Sequence, residues 1–351
     1  MSEAQTHRCL NCGGYLTFEP NDQKFHCPYC LSIFTEAEIQ TFANSQTQTA
    51  SETQSNEGDP KKQIKLYQCN SCGAQVYTDA TTAATFCYYC HNPVVLVERL
   101  SGEFAPQKLI PFQLDKERAN ALFAQWIKHQ HYVDKNFYSK EQVEKLSGVY
   151  FPFWYMESES VGKLSATGKK LRIWRVGDLE YTETKIFAVI RVGLLHFTDL
   201  LKSALTKNLN QKMFSNVEPF DFSALVDFKT PYLAGFMAEK RDIEYQEMAD
   251  EVKSEITQYS KSLITSEASR EYTSLHQDKF TLEDDTTPKY LLLPLWVLTY
   301  HHNDKLYYFA INGQTGKISG VLPTNHAKLL LHAVVICLII LVIGLFVGYL
   351  I

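Results

Sequence analysis

Two stretches of the chain place hydrophobic residues at helical spacing. Apolar side chains recur every three or four positions between residues 116 and 130, and Asp115 stands where an N-cap is expected. Between residues 239 and 264 the apolar positions alternate steps of four and three, from Tyr245 to Leu263. A coiled coil has such a seam, but a helix that packs on a sheet shows it more often. The pattern predicts two amphipathic helices.

Runs of aromatic and aliphatic residues predict strands around these helices. Residues 150–155 read Y-F-P-F-W-Y and residues 292–297 read L-L-P-L-W-V, and each run follows a helical stretch and opens a β-rich one. This similarity favours a body built of two related α+β units. Because proline donates no backbone hydrogen bond, Pro152 and Pro294 are expected at the starts or edges of strands.

The clearest hairpin pattern covers residues 306–320. A strand is followed there by a turn at Asn312 and Gly313 and then by a return strand. The segment from Gly313 to Lys317 resembles a phosphate-binding loop, but two residues separate its glycines instead of four, and Ile318 follows the lysine. We therefore interpret this segment as a turn.

The cysteines carry the strongest chemical signal in the sequence. Eight of the nine form four C-x-x-C pairs, and in each of two sets fourteen residues separate the inner cysteines. Each pair forms a knuckle that directs two thiolates to one point, and four sulfurs in a tetrahedron suit Zn²⁺. The predicted ligands are Cys9, Cys12, Cys27 and Cys30 for one ion and Cys69, Cys72, Cys87 and Cys90 for a second.

This spacing predicts two structural zinc ribbons rather than redox centres. A thioredoxin-type C-x-x-C motif occurs singly on a βαβ frame, and the pattern around these cysteines does not predict that frame. Each ribbon is too small to bury a useful core, so the metal is expected to supply its folding energy. His26 and His91 lie beside ligand cysteines and are alternative ligands. Because four sulfurs suffice, we interpret both histidines as surface residues.

A polar segment separates the two ribbons. Residues 42–62 consist almost entirely of Ser, Thr, Gln, Asn, Ala, Glu and Gly, a composition that cannot repay its ordering entropy. We expect a flexible tether that leaves the first ribbon free to search for a partner. The predicted organisation is a ribbon at 1–40, a linker at 41–64, a second ribbon at 65–100 and an α+β body at 101–325.

The C-terminal segment is strongly apolar. Residues 333–351 contain no charged side chain, and as a helix these nineteen residues measure about 28 Å, close to the hydrocarbon thickness of a bilayer. We predict one transmembrane helix over residues 329–351. The first ten residues contain no apolar run typical of an export signal, and Lys328 borders the span. The expected location is therefore the cell membrane, with the N-terminal bulk of the chain in the cytoplasm.

Charge and motifs argue against several classes of function. The formal net charge of -5 does not suit a protein whose main partner is a polyanion, and no Lys or Arg lies between Leu66 and Val97 in the second ribbon. The body contains no G-x-S-x-G, H-E-x-x-H or dinucleotide-binding fingerprint. We expect neither an enzyme nor a nucleic-acid-binding protein, and the sequence indicates no small-molecule substrate.

Several motifs together carry a family resemblance. They are the C-x-x-C-G knuckles at 9–13 and 69–73, L-I-P-F at 109–112 ahead of the helix with Trp126, V-Y-F-P-F-W at 149–154, and the apolar tail. In these features most of the chain resembles bacterial proteins described as TFIIB-type zinc ribbon-containing, including those found with phage shock protein A homologues and an SPFH-like protein in membrane-stress modules. The resemblance implies a scaffold that recruits cytosolic proteins to a stressed membrane.

The leading hypothesis is a membrane-anchored adaptor. In it the tail binds the lipid bilayer, and the ribbons bind cytosolic or membrane-associated proteins. One alternative is a membrane-tethered nucleic-acid-binding or transcription-related protein, which only the ribbon type favours. A third hypothesis, an enzyme with its site in the body, has no supporting constellation of residues.

Overall fold

The computed structural model divides the chain into two compact units. The first comprises residues 1–152, 207–240 and 292–351, and the second comprises residues 153–206 and 241–291. Helices and strands occur in both, so the fold is mixed α+β, as predicted. The structure describes residues 8–39, 41, 65–68, 75–78, 81–86, 93–100, 104–130, 146–206, 216–302, 305–322 and 326–350.

Within the described residues, strands outnumber helices. The strands are β1 (Thr17–Glu19), β2 (Lys24–His26), β3 (Ile33–Phe34), β4 (Lys65–Gln68), β5 (Gln75–Thr78), β6 (Thr82–Phe86), β7 (Pro93–Val95), β8 (Lys108–Leu109), β9 (Ser147–Val176), β10 (Leu179–Ser203), β11 (Val226–Asp227), β12 (Met237–Glu239), β13 (Ser274–His302), β14 (Lys305–Asn312) and β15 (Ile318–Gly320). The helices are α1 (Lys116–Lys128), α2 (Tyr245–Ser269) and α3 (His326–Leu350), and short 3-10 helices lie at Val97–Leu100, Phe222–Ala224 and Thr230–Leu233.

Antiparallel strand pairs around an aromatic core form the first unit. β6 pairs with β7 and β12, β8 pairs with β11, and the end of β13 pairs with β14. β12 also pairs in parallel with the start of β9, with Met237 opposite Val149. In the core the rings of Phe112 and Phe236 stack 4.1 Å apart, and Trp296 meets Phe112 edge-on at 5.3 Å.

The predicted hairpin at residues 306–320 is confirmed as β14 and β15, which are antiparallel. The Asn312 side-chain oxygen accepts hydrogen bonds from the backbone N–H groups of Gln314 (2.9 Å) and Thr315 (3.0 Å), and the Gly316 N–H donates to the Asn312 carbonyl. These amides are occupied by the turn itself. The segment is therefore a turn, as the sequence indicates, and not a cradle for phosphate.

A long hairpin and one helix form the second unit. β9 pairs with β10 from Phe153 opposite Ser203 to Val176 opposite Leu179, and β13 is its neighbour on the other edge. The connection needs only two residues because Gly177 adopts φ 61°, which L-residues avoid. α2 packs on one face of these strands. The buried cluster there contains Leu164, Ala166, Val189, Ile264 and Ala268.

The prediction of the first helix is confirmed by α1. Its N-cap is Asp115, whose carboxylate accepts a hydrogen bond from the Arg118 N–H at 2.6 Å. This bond satisfies one of the N–H groups that the first turn of a helix leaves unpaired. The helix ends two residues earlier than predicted, at Lys128.

The second helix is confirmed in type but not in its start or its buried face. α2 begins six residues later than predicted, where Glu244 and Glu247 form a capping box, because residue 239 ends β12 instead. Tyr259 and Leu263, predicted on the buried seam, are 58% and 51% exposed. The buried row instead advances four residues at a time, so Ser260 and Ile264 are buried in place of Tyr259 and Leu263. That row consists of Met248, Val252, Ile256, Ser260, Ile264 and Ala268.

Pro152 and Pro294 were predicted at the starts or edges of strands, and because both lie inside β9 and β13 the first alternative, a strand start, is excluded. Each nevertheless lies where the ladder on one edge is interrupted. β9 pairs with β12 up to Tyr150 and with β10 from Phe153 onward, so Pro152 lies in the gap between these two partners. β13 pairs with β14 only from Leu295 onward, so Pro294 lies just before that ladder. At both positions no backbone N–H has to donate to those partner strands. Proline, which has no N–H, is therefore tolerated there.

One tryptophan contact recurs in the two units. In the first, the Trp296 indole N–H donates to the Leu114 carbonyl at 2.9 Å, one residue before the N-cap of α1. In the second, the Trp154 indole N–H donates to the Ile243 carbonyl at 2.9 Å, one residue before the N-cap of α2.

A tyrosine contact recurs in the same way. The Tyr150 hydroxyl accepts from the Phe112 N–H in the first unit, and the Tyr290 hydroxyl accepts from the Arg241 N–H in the second, both at 3.3 Å. Each donor lies three residues before the N-cap of its helix. These shared contacts support the predicted relation between the two units.

The apolar C-terminal segment is helical. α3 spans 25 residues, and its described side chains run from Lys328 to Gly344. Among the helices of the described part of the chain, none combines the length and apolarity that crossing a bilayer requires. The transmembrane helix stays a prediction.

Candidate metal centre

The four cysteines of the first ribbon converge on one point. The Sγ atoms of Cys9, Cys12, Cys27 and Cys30 all lie within 4.8 Å of one another. Cys9 and Cys30 are 3.4 Å apart, and Cys12 and Cys27 are 3.5 Å apart. A tetrahedron with Zn–S bonds of about 2.3 Å has sulfur–sulfur distances of about 3.8 Å. The donor set therefore fits a four-cysteine zinc site in number, type and approximate spacing.

The two knuckles close with the same backbone geometry. The Gly13 N–H donates to the Cys9 carbonyl at 2.9 Å, and the Leu31 N–H donates to the Cys27 carbonyl at 3.0 Å. Gly13 and Leu31 each follow the second cysteine of a pair and adopt left-handed φ values of 71° and 59°. Glycine takes this conformation freely, whereas an L-residue loses roughly 1–2 kcal/mol in it.

Polar neighbours of the sulfurs were not predicted from the sequence. The Asn11 N–H lies 3.4 Å from Cys9 Sγ, and the Asn11 side-chain amide donates to Ser32 Oγ at 2.8 Å. Ser32 Oγ in turn lies 3.2 Å from Cys30 Sγ. Hydrogen bonding with Ser32 lowers the pKa of the Cys30 thiol to about 6. These residues favour a thiolate at the exposed edge of the cluster.

The thiol of Cys12 responds in the opposite direction. The Gly14 backbone N–H lowers its pKa, but hydrogen bonds with the Cys30 and Cys27 sulfurs outweigh that and raise the pKa to about 12. The neighbouring sulfurs therefore keep the proton on Cys12 in the absence of a metal. A bound divalent cation would hold all four as thiolates. With four protein ligands such an ion is structural, since no coordination position stays open for substrate.

The first ribbon packs on the rest of the first unit. The Phe18 N–H donates to the Ala234 carbonyl at 2.8 Å, and the Phe18 ring lies 5.3 Å from the Tyr232 ring. Glu36 accepts hydrogen bonds from Lys229 and, at 2.6 Å, from the Tyr232 hydroxyl. The expectation of a first ribbon that is free to move is therefore wrong, because its aromatic face and Glu36 are held by other residues of the unit.

Three apolar side chains remain exposed next to the metal ligands. Tyr29, Leu31 and Ile33 are 64%, 80% and 52% exposed, and we call this group the knuckle patch. Cys30, between Tyr29 and Leu31, is exposed as well, whereas Cys9 is buried. The sequence does contain a signal for this patch, since a leucine occupies the position where the first knuckle has a glycine.

The other predicted site residues have different outcomes. His26 lies outside the sulfur cluster, with its Nε2 2.8 Å from Asp22 Oδ2, which agrees with its interpretation as a surface residue. The second ligand set and His91 lie outside the described residues, so the second ion stays a prediction. That set is Cys69, Cys72, Cys87 and Cys90. The strands β4 and β5 beside it are antiparallel.

Comparison with known proteins gives one informative match. A protein of Bacillus subtilis strain 168, recorded as "Uncharacterized protein YdjG", is 33% identical to this chain over 235 residues. The match covers 67% of this chain and 68% of that protein. No protein-family model matches the chain, and no solved structure matches it significantly.

Proposed function

The chain belongs to the same family as Bacillus subtilis YdjG, and we propose that it is a membrane-anchored adaptor that binds a protein partner through its first zinc ribbon. In this proposal each ribbon holds one structural Zn²⁺ ion, α3 is the membrane anchor, and the bulk of the chain faces the cytoplasm. A role in the response to membrane stress is consistent with the resemblance described above.

The observation that carries the adaptor function is the conformation of Leu31. It adopts φ 59° where the equivalent Gly13 avoids strain, and yet its side chain is 80% exposed and so gains little from burial. A strained residue without compensating packing indicates a role outside the fold. Together with Tyr29 and Ile33 it forms an apolar surface around a rigid knuckle, which suits contact with an apolar segment of another protein.

Charge favours a protein partner over nucleic acid. The described cations of the first ribbon are outnumbered by its carboxylates, and a phosphate backbone needs clustered Lys and Arg. The cations are Arg8 and Lys24, and the carboxylates are Glu19, Asp22, Glu36 and Glu38. We therefore do not favour the nucleic-acid alternative, and the expectation that the chain is not an enzyme stays a prediction.

The exposed apolar surface of α3 supports the anchor. From Ala333 onward the sequence of the helix carries no charge. Exposed aliphatic side chains such as Leu330 (67%) and Ile340 (63%) cover its described part. Lipid is the occupant that such a surface fits, because acyl chains need no complementary shape or hydrogen bonds.

Site-specific photo-crosslinking tests the adaptor function. A photoreactive residue at Leu31 should form a discrete adduct with one protein in intact cells. The same residue at Val321, which is 60% exposed in the same unit, is the matched control. Equal adducts from both positions, or none from position 31 while zinc is retained, would contradict docking at the knuckle patch.

A truncation tests the anchor independently. Removal of residues 329–351 should move the protein from the membrane fraction to the supernatant after alkaline extraction, while zinc content stays unchanged. A truncated chain that still resists alkaline extraction would remove the anchor from the proposal and leave the ribbon function untouched.

A further inference from the structure

β10 is an edge strand with an apolar stripe on its exposed face. Among the described strands only β9 pairs with it, so its other edge offers N–H and C=O groups to a further strand. Every second residue from 186 to 194 is aliphatic and exposed, and we call this group the outer stripe. It consists of Ile186 (66%), Ala188, Ile190 (62%), Val192 (64%) and Leu194 (78%).

The outer stripe is not part of the protein's own core. Side chains alternate between the two faces of a strand, and the intervening Val189 is buried in the cluster under α2. The outer stripe therefore lies on the face opposite α2. The aligned residues of β9 on that face, such as Lys163 and Ser165, are polar or partly exposed and do not cover it.

This edge lacks the devices that usually prevent strand pairing. Natural edge strands carry proline, inward or outward lysines, or bulges. Residues 186–194 contain no proline and one charge, Arg191, which is paired with Glu271 at 2.8 Å on the α2 side. The ladder is regular up to Phe197 and then shifts at a bulge where Asp199 adopts φ 62°. The segment that can accept a strand thus has a definite end.

We propose that a second copy of this chain pairs with β10, antiparallel and about a two-fold axis at Ile190. In this register Ile190 faces Ile190 of the second copy, Ala188 faces Val192, and Ile186 faces Leu194. Every member of the outer stripe then meets another member. This self-complementarity is what an isologous dimer interface requires.

Other registers are less favourable. A slip by one residue places the outer stripes of the two copies on opposite faces of the joined sheet. A two-fold axis at Arg191 brings two guanidinium groups directly opposite each other, which is destabilising. In the proposed register Arg191 faces Val189 of the second copy, and Lys185 faces Leu195. No like charges are therefore opposite each other along residues 185–195 of the two copies.

α2 supplies a second apolar contribution. Tyr259 lines a cavity with Phe197 and Leu200 of β10, and Leu263 follows it by one helical turn. Both are exposed, at 58% and 51%. Directly opposite residues of antiparallel strands point to the same face, so the second copy places its own α2 on this side of the joined sheet. A nine-residue ladder also adds about nine hydrogen bonds, close to the roughly ten of a typical interface.

Disulfide trapping of the full-length, zinc-loaded protein in detergent tests the register. Directly opposite residues lie about 4.5–5.5 Å apart at Cα, within disulfide range, so Ile190→Cys should form an intermolecular disulfide under mild oxidation. Ser165→Cys is the matched control, because it faces Ile190 from β9 on the same side but lies about three strand spacings, or about 14 Å, from its own copy. Both variants carry Cys337→Ser. Equal trapping at both positions, or none at position 190, would overturn the proposal.

Sedimentation in detergent tests the association itself. Ile190→Lys places two ammonium groups opposite each other on an exposed face, so we expect dimerisation about tenfold weaker or more, with unchanged zinc content. Ser165→Lys should leave the dimer intact. A wild-type protein that remains monomeric at all concentrations contradicts the dimer. A dimer that is insensitive to Ile190→Lys also contradicts the proposal. If Ile190→Lys instead abolishes vesicle binding without changing the mass of the particle, the outer stripe contacts lipid and the proposed dimer interface is wrong.

Discussion

Exchanging the two residues that follow the knuckles separates their structural and functional roles. Leu31→Gly removes a left-handed penalty of roughly 1–2 kcal/mol, but glycine loses about 0.5–1 kcal/mol more backbone entropy on folding. Full burial of a leucine side chain contributes roughly 2 kcal/mol. Because Leu31 is 80% exposed, the substitution removes only about one fifth of that contribution. The terms nearly cancel, and the zinc affinity of Leu31→Gly should stay within about twofold of wild type.

The reverse change at Gly13 should weaken the site. Its φ is 71°, and an added Cβ would meet no heavy atom within 4 Å, so Gly13→Ala isolates the backbone penalty from any clash. The left-handed penalty of roughly 1–2 kcal/mol is partly offset, because alanine loses about 0.5–1 kcal/mol less backbone entropy on folding than glycine does. The folded ribbon should therefore be destabilised by about 0.5–1 kcal/mol, which lowers zinc affinity about two- to fivefold.

Competition with a chromophoric chelator measures both variants. A background with Cys69→Ser and Cys72→Ser confines binding to the first ribbon. The knuckle patch predicts a specific combination for Leu31→Gly, in which zinc affinity is kept and the crosslinked partner is lost. If Leu31→Gly released zinc fivefold more readily, the leucine would be a structural residue and the reasoning from its strain would be refuted.

Three further outcomes follow from contacts described above. Trp296→Phe leaves the Leu114 carbonyl without its donor and should lower the free energy of unfolding by about 1–2 kcal/mol in urea titrations, whereas Trp174→Phe, with its ring 40% exposed, should change it by less than about 0.5 kcal/mol. The hydrogen bond from Lys289 lowers the pKa of Glu157, so its stabilisation is present above the ordinary carboxyl pKa and is lost as pH falls through the lowered value; the stability difference between wild type and Glu157→Gln should therefore shrink from pH 7 to pH 3. Chelation of zinc should expose residues 8–39 to limited proteolysis, and re-addition of zinc should restore their protection, because the metal supplies the folding energy of so small a sheet.

The convergence of the four cysteines was predictable because its signal is local. Two C-x-x-C pairs fourteen residues apart determine which sulfurs meet, and the cluster of Cys9, Cys12, Cys27 and Cys30 confirms it. α1 and the β14–β15 hairpin were predictable for the same reason, since an N-cap at Asp115 and a turn at Asn312 act within a few residues.

What the sequence did not reveal depends on distant residues. The packing of Phe18 on Tyr232 joins positions far apart in the chain, and no local pattern encodes it. The buried face of α2 was misjudged at Tyr259 for a similar reason, because the sheet beneath the helix selects the row that packs. Gly162 and Gly193 leave space for Ile264, and these glycines lie far from the helix in the chain.

The routes of β9 and β13 restrict how this protein can be dissected. Each strand begins in one unit and ends in the other, so the polypeptide enters the second unit twice and leaves it twice. A fragment that stops between residues 153 and 291 deprives the first unit of Trp296, of the end of β13 and of the β14–β15 hairpin. Attempts to express either unit by simple truncation should yield insoluble material, and an isolated second unit would require two segments to be spliced by an artificial linker.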